Sequence, residues 1–123
     1  MIQDFKYEQV GGVDDGGSDA SSQHHLIFKL SGDLMGGAPA MDFQTFLNNL
    51  SSQSSKIIFD LTQVNIVNSS GLGMLVAAHT HLKNVNKTLV LCSVGDNLSS
   101  LVKMTHLDKV FKIADNIESA IKL

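Results

Sequence analysis

Two short apolar runs, Lys56-Ile57-Ile58-Phe59-Asp60-Leu61 and Thr88-Leu89-Val90-Leu91-Cys92-Ser93, enclose a segment of helical periodicity, and this arrangement limits the chain to few folds. The first run is continuous over the length of a strand, as expected for a strand covered on both faces. Periodicity alone also admits a buried helix there, but the Ile-Ile-Phe content and the polar link Ser51 to Ser55 favour a strand. Between the runs, Leu72, Leu75, Val76, His79 and Leu82 or Lys83 follow the spacing of one helix face, with the helix running from Met74 to Leu82.

The same alternation extends in both directions. Phe5 to Val10 reads as a first strand and His25 to Ser31 as a second, ending at Gly32-Asp33. Residues 11–23 between them are glycine, serine and aspartate in the main, the composition of a long, mobile hairpin loop. From Ala40 to Leu50, Phe43, Phe46, Leu47 and Leu50 fall on one helix face, and Pro39 sits where a helix start tolerates it. A helix over Asn97–Met104, a strand over Lys109–Ile113 and a helix over Asn116–Leu123 complete the chain. The order β-β-α-β-α-β-α-β-α implies an α/β fold with a mixed sheet of about five strands, an antiparallel opening hairpin and right-handed crossovers. With 123 residues and 43% apolar composition, the chain is expected to form one domain over residues 1–123 with a sizeable core.

All nine basic residues are lysine. Without arginine there is no bidentate phosphate or guanine clamp and no arginine finger, so nucleic acid is not an expected partner. The charge is uneven: residues 1–23 carry a net −4 and the remaining hundred a net +1. The single cysteine, Cys92, lies in an apolar run and reads as a small buried hydrophobe in a reducing compartment. No signal-peptide pattern and no apolar stretch of bilayer-spanning length is present, which makes a cytoplasmic location without membrane insertion the expectation.

The segment most able to carry chemistry is Asn68-Ser69-Ser70-Gly71-Leu72-Gly73, between a strand-like run and a helix. Two hydroxyls there face unpaired N–H groups and the positive end of the helix dipole, a favourable place for an anion. A phosphate on Ser69 would add about −1.5 to −2 charges where the local field favours them, changing the surface without melting the helix. Gly71 and Gly73 would leave the approach to the hydroxyl free of side chains. The simpler alternative is that Ser69 or Ser70 caps the helix and the glycines permit close packing.

Other chemistry lacks its residues. The segment matches neither Gly-x-Ser-x-Gly nor a P-loop, and Val76 stands where a third dinucleotide-binding glycine would be needed. His79 and His81 lie on different helix faces, His24 and His25 point to opposite sides of a strand, and His106 lies in a turn. With one cysteine and no ligand cluster, neither a metal nor another cofactor is expected, and no base or electrophilic stabiliser accompanies Ser69 as a nucleophile.

The run Ile57-Ile58-Phe59-Asp60-Leu61, Val64, the Asn68-Ser69-Ser70-Gly71-Leu72-Gly73 segment, Leu89-Val90-Leu91-Cys92 and Leu107-Asp108-Lys109-Val110-Phe111 together resemble a STAS domain of the anti-sigma factor antagonist family, from Phe5 onward. The resemblance implies a small mixed sheet with about four helices mainly on one face, and a non-enzymatic function by partner switching. It implies that an anti-sigma factor serine kinase binds the unphosphorylated chain and phosphorylates Ser69, with a phosphatase as a further partner. Asn68, Ser70, Gly71 and Gly73 would complete the switch loop.

Two positions depart from the family pattern. Asn68 stands where relatives usually have Asp, and Gly32-Asp33-Leu34-Met35 where they usually have Gly-Glu-Leu-Asp. Both changes remove a carboxylate near the expected phosphosite. STAS domains also serve as accessory subunits of membrane transport systems, binding an ATPase or transporter without phosphorylation, and the missing carboxylates fit that alternative. Met35 and Met74 would lie near the start of the helix after Ser69 and could form an adaptable contact surface; filling core gaps is the alternative for both.

Overall fold

The computed structural model describes residues 5–13, 25–50 and 54–123. Strands β1 (Lys6–Val13), β2 (His25–Leu34), β3 (Lys56–Val67), β4 (Thr88–Cys92) and β5 (Lys112–Ala114) form one sheet in the order β1-β2-β3-β4-β5. Among the described residues, only the β1–β2 pair is antiparallel. Helices α1 (Ala38–Asn48), α2 (Ser69–Asn84) and α3 (Asp96–Met104) connect the parallel strands, and α4 (Ile117–Lys122) follows β5. This is the mixed α/β architecture that the alternation of apolar patterns predicts.

Each crossover steps to the next strand in the same direction. A common hand therefore places α1, α2 and α3 on one face of the sheet. Phe28, Phe59 and Leu91 point to that face and pack with Phe43, Leu75 and Val102 from the three helices. Phe43 sits 5.3 Å from Phe59 and 4.3 Å from Tyr7, ring centre to ring centre, tying α1 to both the sheet centre and its edge. The intervening residues Ile27, Ile58, Val90 and Cys92 form a smaller core on the other face, closed by Ala120 with Ile117 and Ile121 of α4. The runs at β3 and β4 are continuously apolar because both faces are covered.

Lys56 is the exception in that pattern. It is 7% exposed, and its Nζ donates to the carbonyl oxygens of Ala120 at 3.1 Å, Ile121 at 2.7 Å and Leu123 at 2.7 Å. A cation at the end of α4 meets carbonyls without intrahelical partners and the negative end of the dipole. Burial and the like charge of Lys112 hold its ammonium below the ordinary lysine value.

Several element limits differ from the sequence pattern. Pairing with β2 carries β1 through Gly11-Gly12-Val13, with an irregularity between Gln9 and Gly11, although these glycines have loop composition. The rest of the expected acidic loop lies outside the described residues. β2 passes Gly32 and ends at Leu34, because parallel pairing with β3 continues to Val67. Lys109, the expected start of the fifth strand, instead ends a 3-10 turn over Leu107–Lys109; Phe111 is buried after it, and the strand runs from Lys112 to Ala114.

Candidate functional site

The C-terminal ends of β2 and β3 meet at the start of α2. The Asn68 N–H donates to the Leu34 carbonyl at 3.3 Å, and the Val67 N–H donates to Asn97 Oδ1 at 2.7 Å, so the strand exit is held from both sides. Asn68 is extended, its Oδ1 accepts from the Gly71 N–H at 2.8 Å, and its carbonyl accepts from the Leu72 N–H at 2.9 Å. Asn68 is thus the helix cap, correcting the alternative that Ser69 or Ser70 performs that role. A carboxamide oxygen placed one residue earlier already has the geometry the cap requires.

The helix consequently begins at Ser69, and both glycines of the motif lie inside it rather than before it. Ser69 and Ser70 are exposed on the first turn, and their N–H groups precede the intrahelical ladder. The two glycines do different work. A Cβ on Gly71 would stand 1.9 Å from the Leu34 carbonyl oxygen, so this residue permits the close approach of α2 to β2 and does not clear a path to Ser69. Gly73 is exposed, a Cβ added to it would meet nothing within 4 Å, and it lies four residues from Ser69 on the same helix face. It leaves the flank of that hydroxyl bare.

The β2–α1 connection closes the other side. Gly36 has φ +82°, and a Cβ there would come within 2.9 Å of the Ser70 Cβ. Met35 is 36% exposed at this turn. Met74, by contrast, is 8% exposed and packs into the main core, which corrects its expected place on an exposed contact surface. Its position, five residues after Ser69, turns it toward α1. Only its edge reaches a shallow groove between α1 and α2, lined by Ala40, Met41, Gln44, Ser70 and Met74.

Sequence periodicity missed Met41 and Gln44. Met41 is 68% exposed, and Gln44 Oε1 is buried with no hydrogen-bond partner among the described residues. Neither lies on the apolar stripe of α1, so only the approach of α2 reveals that they share a groove with Ser70.

The remaining titratable candidates lie away from Ser69. His79 packs edge-on to Phe111 with ring centres 5.8 Å apart, and burial together with Lys83 holds its imidazole below the usual value. Cys92 is fully buried; burial and the nearby Asp60 charge, against an opposing hydrogen bond from Ser93, push its thiol up to about 11. Among the described residues no group of three or more His, Cys, Asp or Glu is placed to hold a metal, and no helix is long and apolar enough to cross a membrane.

A family model for the STAS domain matches residues 19–120. Among solved structures, an anti-sigma factor antagonist from Mycobacterium paratuberculosis superposes with TM-score 0.74 at 18% identity, covering 97% of this chain and 92% of the other. A sulfate transporter family protein from Wolinella succinogenes gives 0.71 at 17% identity, covering 80% and 82%. The Bacillus cell fate determinant SpoIIAA in its phosphorylated form gives 0.63 at 15% identity, covering 95% and 97%. At these identities the likeness is one of fold.

Proposed function

We propose that this chain, which belongs to the STAS domain family, is a non-enzymatic partner switch of the anti-sigma factor antagonist kind, controlled at Ser69. In this reading the unphosphorylated chain binds an anti-sigma factor serine kinase, and phosphorylation of Ser69 releases it. The observation that carries the reading is the position of Ser69: exposed, first in α2, and relieved of capping by Asn68.

The physical consequence is a change of surface on a standing fold. Asn68 supports the helix start without using either serine hydroxyl. A phosphoryl group on Ser69 Oγ adds about −1.5 to −2 charges beside first-turn N–H groups and the positive helix end, which stabilise it. A partner seated over Ser69, bare Gly73 and the α1–α2 groove would lose its contact through desolvation of that charge. Asn68 and Met35 are uncharged, so neither repels a phosphate. The phosphorylated state of a structurally similar protein fits the same reading.

A second reading is a constitutive accessory subunit of a membrane transport system, binding an ATPase or transporter component without phosphorylation. The uncharged Asn68 and Met35 favour it, as does the similarity to a sulfate transporter family protein. Parallel capture with wild type and Ser69→Asp as baits separates the two. Retention of a kinase-type anti-sigma factor by wild type alone supports the switch, and equal retention of transport components by both supports the accessory role. Stoichiometric phosphorylation of wild type but not Ser69→Ala by the retained kinase would then establish the acceptor.

A further inference from the structure

At the far end of α2 from Ser69, four lysines from four different segments line one depression. Lys83 comes from the last turn of α2, Lys87 from the turn before β4, Lys109 from the 3-10 turn and Lys112 from β5. His79 and Thr88 complete the polar lining, and Leu89 and Val110 supply apolar wall. The depression has a volume of about 390 Å³, within the size range of small-ligand sites. Fourteen residues of helix, roughly 20 Å, separate Lys83 from Ser69, so this is a different surface from the proposed switch.

Among the described residues no carboxylate lines this depression. Lys87 Nζ is held by the Ser54 carbonyl at 2.6 Å, which fixes one cation at the rim. Lys83, Lys109 and Lys112 are exposed and make no ion pair among the described residues. His79 Nδ1 is buried without a hydrogen-bond partner among the described residues. Lys83, Lys109 and Lys112, with Lys87 held beside them, give this concave site a positive potential.

We propose that this depression is a binding site for a small molecule carrying two or more phosphate groups. Lysines act as point charges toward phosphate and need no planar fork, so the absence of arginine does not weaken the fit. The short, half-open depression favours a compact polyanion over an acidic polypeptide, which would need a strip of cations along an extended groove. The apolar wall at Leu89 and Val110 accommodates an organic carrier as readily as a bare phosphate chain.

The test is calorimetric titration of the full chain with inorganic tripolyphosphate and, separately, with fructose 1,6-bisphosphate, at low and at physiological salt. Two double variants are compared with wild type: Lys83→Gln/Lys112→Gln in the site, and Lys29→Gln/Lys103→Gln, which removes the same charge elsewhere. Saturable binding with one site is expected, weakened at least about tenfold by the site pair and less than about twofold by the control pair. Amide shifts at Leu89 and Val110, and an upward move of the His79 titration on binding, locate the ligand. Tighter binding of the sugar bisphosphate would identify an organic carrier, and tighter tripolyphosphate binding a bare chain. Equal weakening by both pairs would reduce the effect to net charge, an adventitious ion only, and overturn the proposal. Absence of saturable binding, or binding of an oligo-aspartate peptide in preference to both phosphates, would overturn it too. If the site pair melts early, Lys109→Gln alone carries the comparison.

Discussion

The Asn68 side-chain oxygen accepts a hydrogen bond from the Gly71 N–H at 2.8 Å, and Gly71 is also the residue whose missing Cβ lets α2 touch the Leu34 carbonyl. One short contact therefore sets both where the helix begins and how closely it lies on the sheet. It leaves the two serines between these residues exposed.

Removing the cap should cost stability without removing the fold. Asn68→Ala is expected to lower unfolding free energy by about 1 kcal/mol, while Asn68→Asp, which keeps an acceptor at the same place, should stay within about 0.5 kcal/mol of wild type. Urea titration of the three proteins checks this. An equal loss in both variants would mean that the side-chain oxygen is not the stabilising group.

The glycines of the motif should respond in opposite directions. Gly71→Ala forces a Cβ against backbone and is expected to destabilise by about 2–3 kcal/mol. Gly73→Ala meets open space in a helix and should stabilise by about 0.5–1 kcal/mol. Under the proposed switch, Gly73→Ala should also slow phosphorylation of Ser69 while leaving the melting temperature no lower, which a melt and a phosphorylation time course would reveal together.

Met74 and Met41 separate packing from contact. Met74→Lys buries an ammonium in the main core and should destabilise by about 2 kcal/mol or more, so a loss of binding there would not report on a surface. Met41→Lys lies on the exposed lip of the α1–α2 groove and should leave the thermal melt unchanged while weakening capture of the partner. Unchanged capture by Met41→Lys would remove the groove from the contact.

His79 should make stability depend on pH. Its folded value is lowered, first by burial and then by Lys83, with Lys87, Lys109 and Lys112 around the same depression. Between that lowered value and the unfolded value near 6.5, the unfolded chain binds more protons, so stability rises with pH across this window. As pH falls from about 6.5, wild type should lose stability relative to His79→Gln, and the difference should level off once the folded imidazole is protonated. Denaturant midpoints measured for both proteins across this range check the sign. A difference that stays constant with pH would exclude His79 as the source.

Much of the architecture was legible in the one-dimensional pattern. The apolar runs at Lys56–Leu61 and Thr88–Cys92, with helical spacing between them, are enough to imply parallel strands joined by a helix. Burial on both faces leaves no polar alternation, and the Ile-Ile-Phe content and polar flanks favour a strand over a buried helix. Local composition misled where backbone pairing overrode it: Gly11 and Gly12 read as loop, yet the ladder with β2 extends through them.

What the sequence by itself determined was the alternation of strands and helices, the exposed chemistry available at Asn68 to Gly73, and the charge inventory, because each depends on residue type and near-neighbour spacing. Tertiary structure alone decided which of Asn68, Ser69 and Ser70 caps α2, that Gly71 serves contact with Leu34 and Gly73 does not, that Met74 turns inward, and that four distant lysines line one depression. Those outcomes depend on where α1, β2 and β5 come to lie against α2. Contacts between residues far apart in the chain have no period for a sequence to display.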